Sequence, residues 1–242
     1  MSVEVDRQDA VAVVTIDRQE ALNALDVETL TELRDRLREL ADDESARAVV
    51  LTGAGERAFV AGADIKYMSG LGSADAKEWG ALGHEGARLL EEMPKPTIAA
   101  VNGFALGCDL RYASSNARLG QPEIDLGIVP GWGGTQRLAR VCGLGLAKEL
   151  ILTGRQVDAE EALRIGLVNA IADPVLEHAL DVAGKLAAKS PVALRVAKRL
   201  LNLSPGALER EAEEFGDLFA SEDAKEGLAA FAEKRAPRFV GR

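Results

Sequence analysis

Residues 94–138 read PKPTIAAVNGFALGCDLRYASSNARLGQPEIDLGIVPGWGGTQRL, and the rest of the chain is organised around this stretch. It predicts a buried strand from Thr97 to Val101, because a short apolar run ends here in the glycine turn Asn102–Gly103. One carboxylate, Glu123, then precedes a second glycine-containing loop from Pro130 to Gly134. The stretch therefore places the carboxylate of Glu123 close to a loop that is rich in glycine.

Glycine loops and a nearby carboxylate together indicate chemistry at a carbonyl group. Without a Cβ atom, the backbone N–H groups of a glycine loop can approach a ligand closely. A carboxylate that faces such a loop can move protons next to a polarised carbonyl. The alternative is that the glycines only form turns and that Glu123 is a solvated surface acid, which is the usual state of a lone glutamate in a loop.

Composition excludes several classes of protein. The net charge is −10 and the sequence pI is about 4.9, which argues against binding to nucleic acid or to an anionic membrane surface. No run approaches the roughly 18 apolar residues of a membrane helix, and the N-terminus lacks the character of a signal peptide. Two cysteines, Cys108 and Cys142, give neither a disulfide framework nor metal-ligand spacing. We therefore expect a cytoplasmic protein without a bound metal.

The first half of the chain repeats a strand–loop–helix pattern, with apolar strands near Ile16, Leu51 and Ala99. A polar turn at residues 7–9 separates the first two strands. Asp26 is predicted to cap the first long helix, and Ser73 the second. Such recurrence indicates either a solenoid-like stack of similar units or a doubly wound α/β sheet, and the period alone does not separate them.

The second half changes to helical patterns. Asp158 opens a capping box, Ser204–Pro205 predicts another helix start, and Ser221 is predicted to cap the last helix, which ends near Arg235. We divide the chain into a core over residues 1–172 that carries the site and a helical region over residues 173–242 that serves oligomerisation.

Five separate motifs occur in order along the chain. They are ALNALD (Ala21 to Asp26), FVAGADIKYM (Phe59 to Met68), KPTIAAVNGFALG (Lys95 to Gly107), GQPEIDLGIVPGWGGTQRL (Gly120 to Leu138) and FAEKR (Phe231 to Arg235). Together they give the chain a strong resemblance to the crotonase superfamily, and to enoyl-CoA hydratases in particular. The resemblance implies an α/β fold, a crotonase-like spiral of repeated ββα units with a helical C-terminal trimerisation region. It also implies an acyl-CoA thioester as substrate, a homotrimer or a dimer of trimers, and no separate cofactor.

The resemblance also implies roles for individual residues. Ala63 matches the family position whose N–H forms one side of an oxyanion hole, Glu123 matches a catalytic glutamate, and Gly131 matches an amide near the reacting water. The residues implied in substrate binding are Asp64, Ile65 and Lys66 beside the thioester, Ala24 and Ala61 as backbone contacts to coenzyme A, and Phe231 and Lys234 as C-terminal residues that close the coenzyme A site.

The chain departs from the family pattern after Gly107. Where the family reads ALGGGCELALACDLRYAS, this chain reads ALGCDLRYAS, so about eight residues, or roughly two helical turns, are missing. Gly107 is then the remaining glycine for the second oxyanion amide, and another catalytic glutamate is lost, unless Asp109 acts as a shorter acid in its place. We expect either a break between Gly107 and Cys108, which we favour, or a continuous chain with the pocket rebuilt around Gly107 and Asp109.

Three functional hypotheses follow. The favoured one is an enoyl-CoA hydratase, which adds water to a trans-2-enoyl-CoA and is impaired if the missing segment is a true deletion. The second is an enoyl-CoA isomerase, because moving a proton between C2 and C4 needs one base. The third is an inactive acyl-CoA binder with the same fold.

Overall fold

The computed structural model of the chain describes residues 2–55, 59–101, 104–203 and 208–242. Its strands are β1 (Val3–Gln8), β2 (Val11–Ile16), β3 (Ala48–Gly53), β4 (Thr97–Val101), β5 (Leu110–Ala113), β6 (Arg118–Leu119), β7 (Val157–Asp158) and β8 (Ala170–Ile171). Its helices are α1 (Val27–Asp42), α2 (Ile65–Met68), α3 (Ser73–Glu92), α4 (Gly134–Cys142), α5 (Leu144–Thr153), α6 (Ala159–Arg164), α7 (Val175–Ala187), α8 (Pro191–Leu201), α9 (Leu208–Leu218) and α10 (Glu222–Glu233).

In the main sheet, the strands lie side by side in the order in which they occur along the chain. Its order is β1-β2-β3-β4-β5-β8; β1 pairs antiparallel with β2, and all later pairs are parallel. Leu51 lies opposite Val14 on one side and Ala99 on the other, so the three predicted strands are neighbours. A doubly wound sheet reverses its strand order at a switch point. The described strands show no such reversal, which confirms the stacked arrangement.

The two faces of the sheet are covered by different parts of the chain. On one face, Val14, Ile16 and Leu51 join the core formed with α1 and α3. On the other face, alternate strand residues pack against the small residues of α7; these are Val11, Ala48, Val50, Ile98, Ala100 and Tyr112 on the sheet and Ala179, Ala183 and Ala187 on the helix. The region after Ala172 is helical, as predicted, and its first helix completes the core of this same chain. The division at residue 172 and the role of the later helices in oligomerisation stay predictions.

Local signals placed most helix starts correctly. The Asp26 carboxylate accepts a hydrogen bond from the Thr29 N–H at 2.9 Å, and the Ser221 hydroxyl accepts one from the Ala224 N–H at 3.0 Å. The prediction for α3 was off by one residue, because Gly72 is the cap and Ser73 is the first helical residue. The first turn is also shifted: β1 runs through Gln8 and turns after it, with Asp9 at a φ of 52°. The predicted turn at 102–103 and the predicted helix start at 204–205 lie outside the described residues.

The expected break after Gly107 is wrong. A 3₁₀ turn spans Phe104–Gly107, and the Cys108 N–H donates to the Ala105 carbonyl at 3.0 Å. The Asp109 N–H then donates to the Thr97 carbonyl at 3.0 Å, which leads directly into β5. The chain is therefore continuous here, and a short turn stands where the family pattern has a longer segment.

Candidate active site

Ala63 offers a backbone N–H that the fold leaves unused. Leu25 and Ala63 form an isolated parallel bridge, in which the Leu25 N–H donates to the Gly62 carbonyl at 2.8 Å and the Asp64 N–H donates to the Leu25 carbonyl at 3.0 Å. In such a bridge the residues flanking Ala63 make the bonds, so its own N–H points away from Leu25. Among the described residues nothing accepts a hydrogen bond from it. A free amide next to the start of α2 suits an anionic oxygen.

Asp64 acts as the cap of α2. Its carboxylate accepts hydrogen bonds from the N–H groups of Lys66 at 3.0 Å and Tyr67 at 3.2 Å. The bond from Tyr67, followed by those from Arg18 and Lys66, holds the pKa of the Asp64 carboxyl below its usual range against the effect of burial. The neighbouring Ile65 side chain is 59% exposed and Lys66 is exposed, so both are accessible to a ligand.

Arg18 is a positioning residue that the sequence analysis did not single out. Its guanidinium donates to the Ala24 carbonyl at 2.5 Å and lies 3.1 Å from an Asp26 oxygen and 3.3 Å from an Asp64 oxygen. It thereby fastens the ALNALD loop to the cap of α2. The Ala24 carbonyl is occupied by this contact, whereas Ala61 is exposed and its N–H donates to the Leu22 carbonyl at 3.1 Å. The sequence signal that could have identified Arg18 is an arginine in a loop that also contains two acidic residues.

Glu123 lies in a 3₁₀ turn over Pro122–Leu126, which Pro122 opens and Gly127 ends with a φ of 73°. Its Oε2 atom is buried and has no hydrogen-bond partner among the described residues. Burial raises the pKa of the Glu123 carboxyl, partly opposed by a hydrogen bond from its own backbone. A buried carboxyl with a raised pKa and a free oxygen can accept and return a proton. The alternative of a solvated surface acid is wrong.

The loop that contains Gly131 is held against α3 by close packing. A Cβ atom on Gly83 would lie 2.1 Å from the Trp132 ring, so α3 needs a glycine where the indole crosses it. The Arg137 guanidinium donates to the Trp132 carbonyl at 2.9 Å and forms a two-point ion pair with Glu91, at 2.8 and 2.7 Å. Gly131 itself is exposed and a Cβ there would meet nothing within 4 Å. Its backbone is accessible on a loop that is otherwise fixed.

Gly107 has a packing reason to be glycine. A Cβ atom there would lie 2.8 Å from the Ala87 carbonyl oxygen of α3, which is closer than real contacts. The short turn is thus pressed against the helix that also carries Gly83. Next to it, Cys108 is buried, and this burial raises the pKa of its thiol to about 12, so Cys108 is no candidate for proton transfer.

Asp109 is bound by structural partners. Its carboxylate accepts hydrogen bonds from the Thr97 N–H at 2.8 Å and the Thr97 hydroxyl at 3.0 Å, and lies 2.8 Å from the Lys198 ammonium. Lys198 also donates to the carbonyls of Leu90 at 2.8 Å and Lys95 at 3.1 Å. These contacts are all made by one oxygen of the carboxylate, Oδ2, and they tie the start of β5 to Thr97 and Lys198. The roles of Gly107 and Asp109 in a rebuilt pocket stay predictions.

The predicted C-terminal residues lie elsewhere in the chain. Phe231 is 86% exposed on α10, and Lys234 ends that helix with a φ of 55°. Their described contacts are within α10, which packs on α8, and not with Ala63 or Glu123. Within the described ranges no helix is long and apolar enough to cross a membrane, and no cluster of three or more metal-ligating side chains occurs.

Comparison with known proteins identifies the class. The sequence profile of the family described as enoyl-CoA hydratase/isomerase matches residues 6–242, and the chain belongs to this family. It is 47% identical to the short-chain-enoyl-CoA hydratase of Clostridium acetobutylicum, over 97% of this chain and 95% of that protein. It is 44% identical to the crotonyl-CoA hydratase of Syntrophomonas wolfei, over 100% of this chain and 98% of that protein. The crystal structure of the enoyl-CoA hydratase from Bacillus anthracis superimposes with a TM-score of 0.95 at 36% identity, covering both chains fully. The fold is therefore the crotonase fold that the sequence predicted.

The comparison also bears on the missing segment. The match to the Syntrophomonas wolfei protein extends over 256 aligned positions, although this chain has 242 residues. The relative therefore holds residues that this chain lacks. The position of the gap directly after Gly107 stays a prediction from the motif.

Proposed function

We propose that this chain is an enoyl-CoA hydratase that adds water across the double bond of a short trans-2-enoyl-CoA. The observation that carries the proposal is the Glu123 carboxyl, whose Oε2 atom is buried without a partner among the described residues, in the turn that precedes the glycine loop. The names of the two relatives at 44% and 47% identity support the reaction and the short acyl chain.

The free amide of Ala63 supplies electrostatic stabilisation. As water attacks C3, electrons of the double bond move toward the thioester carbonyl, and its oxygen becomes an enolate. An amide that already points at that oxygen stabilises the charge, typically by a few kcal/mol per donor. Gly107 is the proposed second donor, as the motif implies, and the Gly131 amide is proposed to lie near the water.

One carboxyl group is enough for both proton transfers of the reaction. Glu123 takes a proton from water while the water oxygen bonds to C3. It then returns that proton to C2 as the enolate collapses, so that both groups are added from the same side. The carboxyl ends as it began, and no cofactor is consumed. We therefore propose no cofactor other than the coenzyme A of the substrate, and no metal.

Substrate capture by an acidic protein needs local positive charge. We propose that Lys66 and Lys234 meet the phosphates of coenzyme A. Ala24, Ala61, Asp64 and Ile65 line the path from the adenine to the thioester, and Phe231 covers it. Because no described contact joins Phe231 or Lys234 to Ala63 within one chain, we propose that a homotrimer or a dimer of trimers brings them to the site. The protein is proposed to act in the cytoplasm, without nucleic acid or membrane.

The test is to add crotonyl-CoA and follow the loss of enoyl absorbance, with 3-hydroxybutyryl-CoA as the expected product. An isomerase is the second candidate, because one unpartnered carboxylate is described at the site. A 3-enoyl-CoA that is converted while crotonyl-CoA is not would establish the isomerase instead. Binding of both esters without conversion would establish an inactive binder.

The short turn at Gly107 should lower the rate. We expect turnover of crotonyl-CoA to be well below that of a variant in which the family-like sequence GGCELALA is inserted after Gly107. The two proteins are compared at equal concentration of folded protein. If the insertion leaves the rate unchanged, the existing residues already supply what the segment would add.

A further inference from the structure

Trp79 contains a buried hydrogen-bond donor without an acceptor. The residue lies on α3, its side chain is 7% exposed, and its Nε1 atom has no partner among the described residues. Buried polar side-chain atoms nearly always have a partner, either in the protein or in a bound molecule. An indole N–H in this state has its donor capacity free for an oxygen atom of a bound molecule.

The position of Trp79 joins the two halves of the candidate site. Its ring centroid lies 5.4 Å from that of Tyr67 on α2 and 5.0 Å from that of Trp132, with edge-to-face geometry in both pairs. Tyr67 belongs to the helix that starts just after Ala63, and Trp132 follows Gly131. Trp79 therefore contacts both α2, which starts just after Ala63, and the loop residue that follows Gly131.

We propose that Trp79 is a further residue of the active site and that its indole N–H donates to the oxygen at C3 of the ligand. That oxygen belongs to the attacking water before the reaction and to the 3-hydroxyl group of the product after it. This inference rests on the proposed hydratase function. Trp79 thus gives the water a donor, while Glu123 is its acceptor.

The C3 oxygen fits this donor better than the thioester oxygen does. The thioester oxygen already has the free N–H of Ala63 at the α2 side. The oxygen at C3 comes from the attacking water, which is proposed to lie near the Gly131 amide and hence near the loop of Trp132. A bound water needs two or more polar partners to be held in place. Glu123 supplies one, and with the second family glutamate absent from this sequence, the Trp79 N–H supplies the other.

The experiment compares two esters that differ in that one oxygen. Trp79→Phe keeps the aromatic ring and removes the N–H. Titration calorimetry in the Glu123→Gln background, in which conversion is slow, measures the affinity for 3-hydroxybutyryl-CoA and for butyryl-CoA. We expect Trp79→Phe to weaken 3-hydroxybutyryl-CoA binding about 3- to 10-fold. Binding of butyryl-CoA, which has no oxygen at C3, should change less than about twofold.

Trp132→Phe is the matched control. It also removes an indole N–H, but this nitrogen lies over Gly83 of α3, so any change in affinity should be the same for both esters. If Trp79→Phe weakens the binding of both esters equally, Trp79 only supports the packing between α2 and the loop of Trp132. If it weakens the binding of neither ester, Trp79 is not in the site. Either result overturns the inference. A protein with intact Trp79 that binds neither ester would instead overturn the proposed function itself.

A second measurement leaves both tryptophans in place, in case Trp79→Phe does not fold. The chain has 2 tryptophans, so its ¹⁵N spectrum holds two indole N–H signals, which Trp132→Phe assigns. We expect the Trp79 signal to move downfield with 3-hydroxybutyryl-CoA and not with butyryl-CoA. A Trp79 signal that responds equally to both esters, or to neither, overturns the inference.

Discussion

The turn that carries Glu123 and the strand start that carries Asp109 give two carboxylates opposite environments. Asp109 is bound by Thr97 and Lys198, whereas Glu123 has a buried oxygen without a described partner. A carboxylate whose hydrogen bonds are all made within the fold stabilises that fold and has little left for a substrate. A carboxyl that is buried without them lowers stability, yet it is ready to exchange a proton. The region of Asp109 thus contributes to stability, whereas the region of Glu123 gives up stability and keeps a carboxyl group available for reaction.

The largest expected effect is on turnover when Glu123 is changed. Glu123→Gln keeps the size of the side chain and removes its capacity to carry a proton. Because general acid–base groups contribute about 10²- to 10⁴-fold to rate, turnover of crotonyl-CoA should fall by that factor while butyryl-CoA binding is retained. Initial rates and calorimetry measure the two quantities. Near-normal turnover in the variant would mean that Glu123 is structural and that the contrast with Asp109 is mistaken.

The next effect is on stability, at the other carboxylate. Asp109→Asn leaves the Lys198 ammonium, whose side chain is 10% exposed, without its charged partner. We expect the free energy of unfolding to fall by about 3 kcal/mol, with little change in turnover per folded molecule. Urea denaturation at pH 7 measures the first, and initial rates the second.

A matched control for that change is the exposed pair of Asp181 and Lys185, 2.6 Å apart with side chains 57% and 71% exposed. Asp181→Asn should cost less than about 0.5 kcal/mol, because surface pairs contribute little. If Asp109→Asn instead leaves stability intact and abolishes turnover, Asp109 is the second acid of the site after all.

The smallest effect is the dependence of stability on pH at Glu123. Burial raises the pKa of this carboxyl in the folded state above its value in the unfolded chain. Its contribution to stability is therefore fully present below the unfolded pKa, and it is lost as the pH rises through the folded pKa. Glu123→Gln should be more stable than the parent at pH 8, and the two should converge toward pH 4. Melting temperatures across this range measure the difference, and a gap that widens as the pH falls would contradict the buried environment.

Much of the fold could be predicted because it is encoded locally. The strands around Ile16, Leu51 and Ala99 follow from runs of apolar residues, and the caps at Asp26 and Ser221 follow from side chains that bond to their own helix. The two-residue strands β6, β7 and β8 could not be predicted in this way. They are too short to carry a pattern and exist because distant segments pair with them.

The acidic residue of the candidate site could be predicted from the sequence, whereas the residues that position it were harder to predict. Glu123 stands out because a motif surrounds it, and the structure gives it the buried environment that the chemistry needs. Arg18 and Trp79 matter through contacts with segments far along the chain, and a single sequence does not show such contacts. The continuous turn at Gly107 depends in the same way on close packing against Ala87, which the spacing of the motif did not reveal.

The placement of α7 against the sheet has a consequence for how the protein is made. The ribosome completes the strands β1 to β5 before it reaches residues 175–187, and domains generally fold from the N-terminal side during synthesis. Until that helix emerges, the sheet face formed by Val11, Val50 and Ile98 is uncovered. A nascent chain from which α7 has not yet emerged therefore presents an apolar surface to its neighbours.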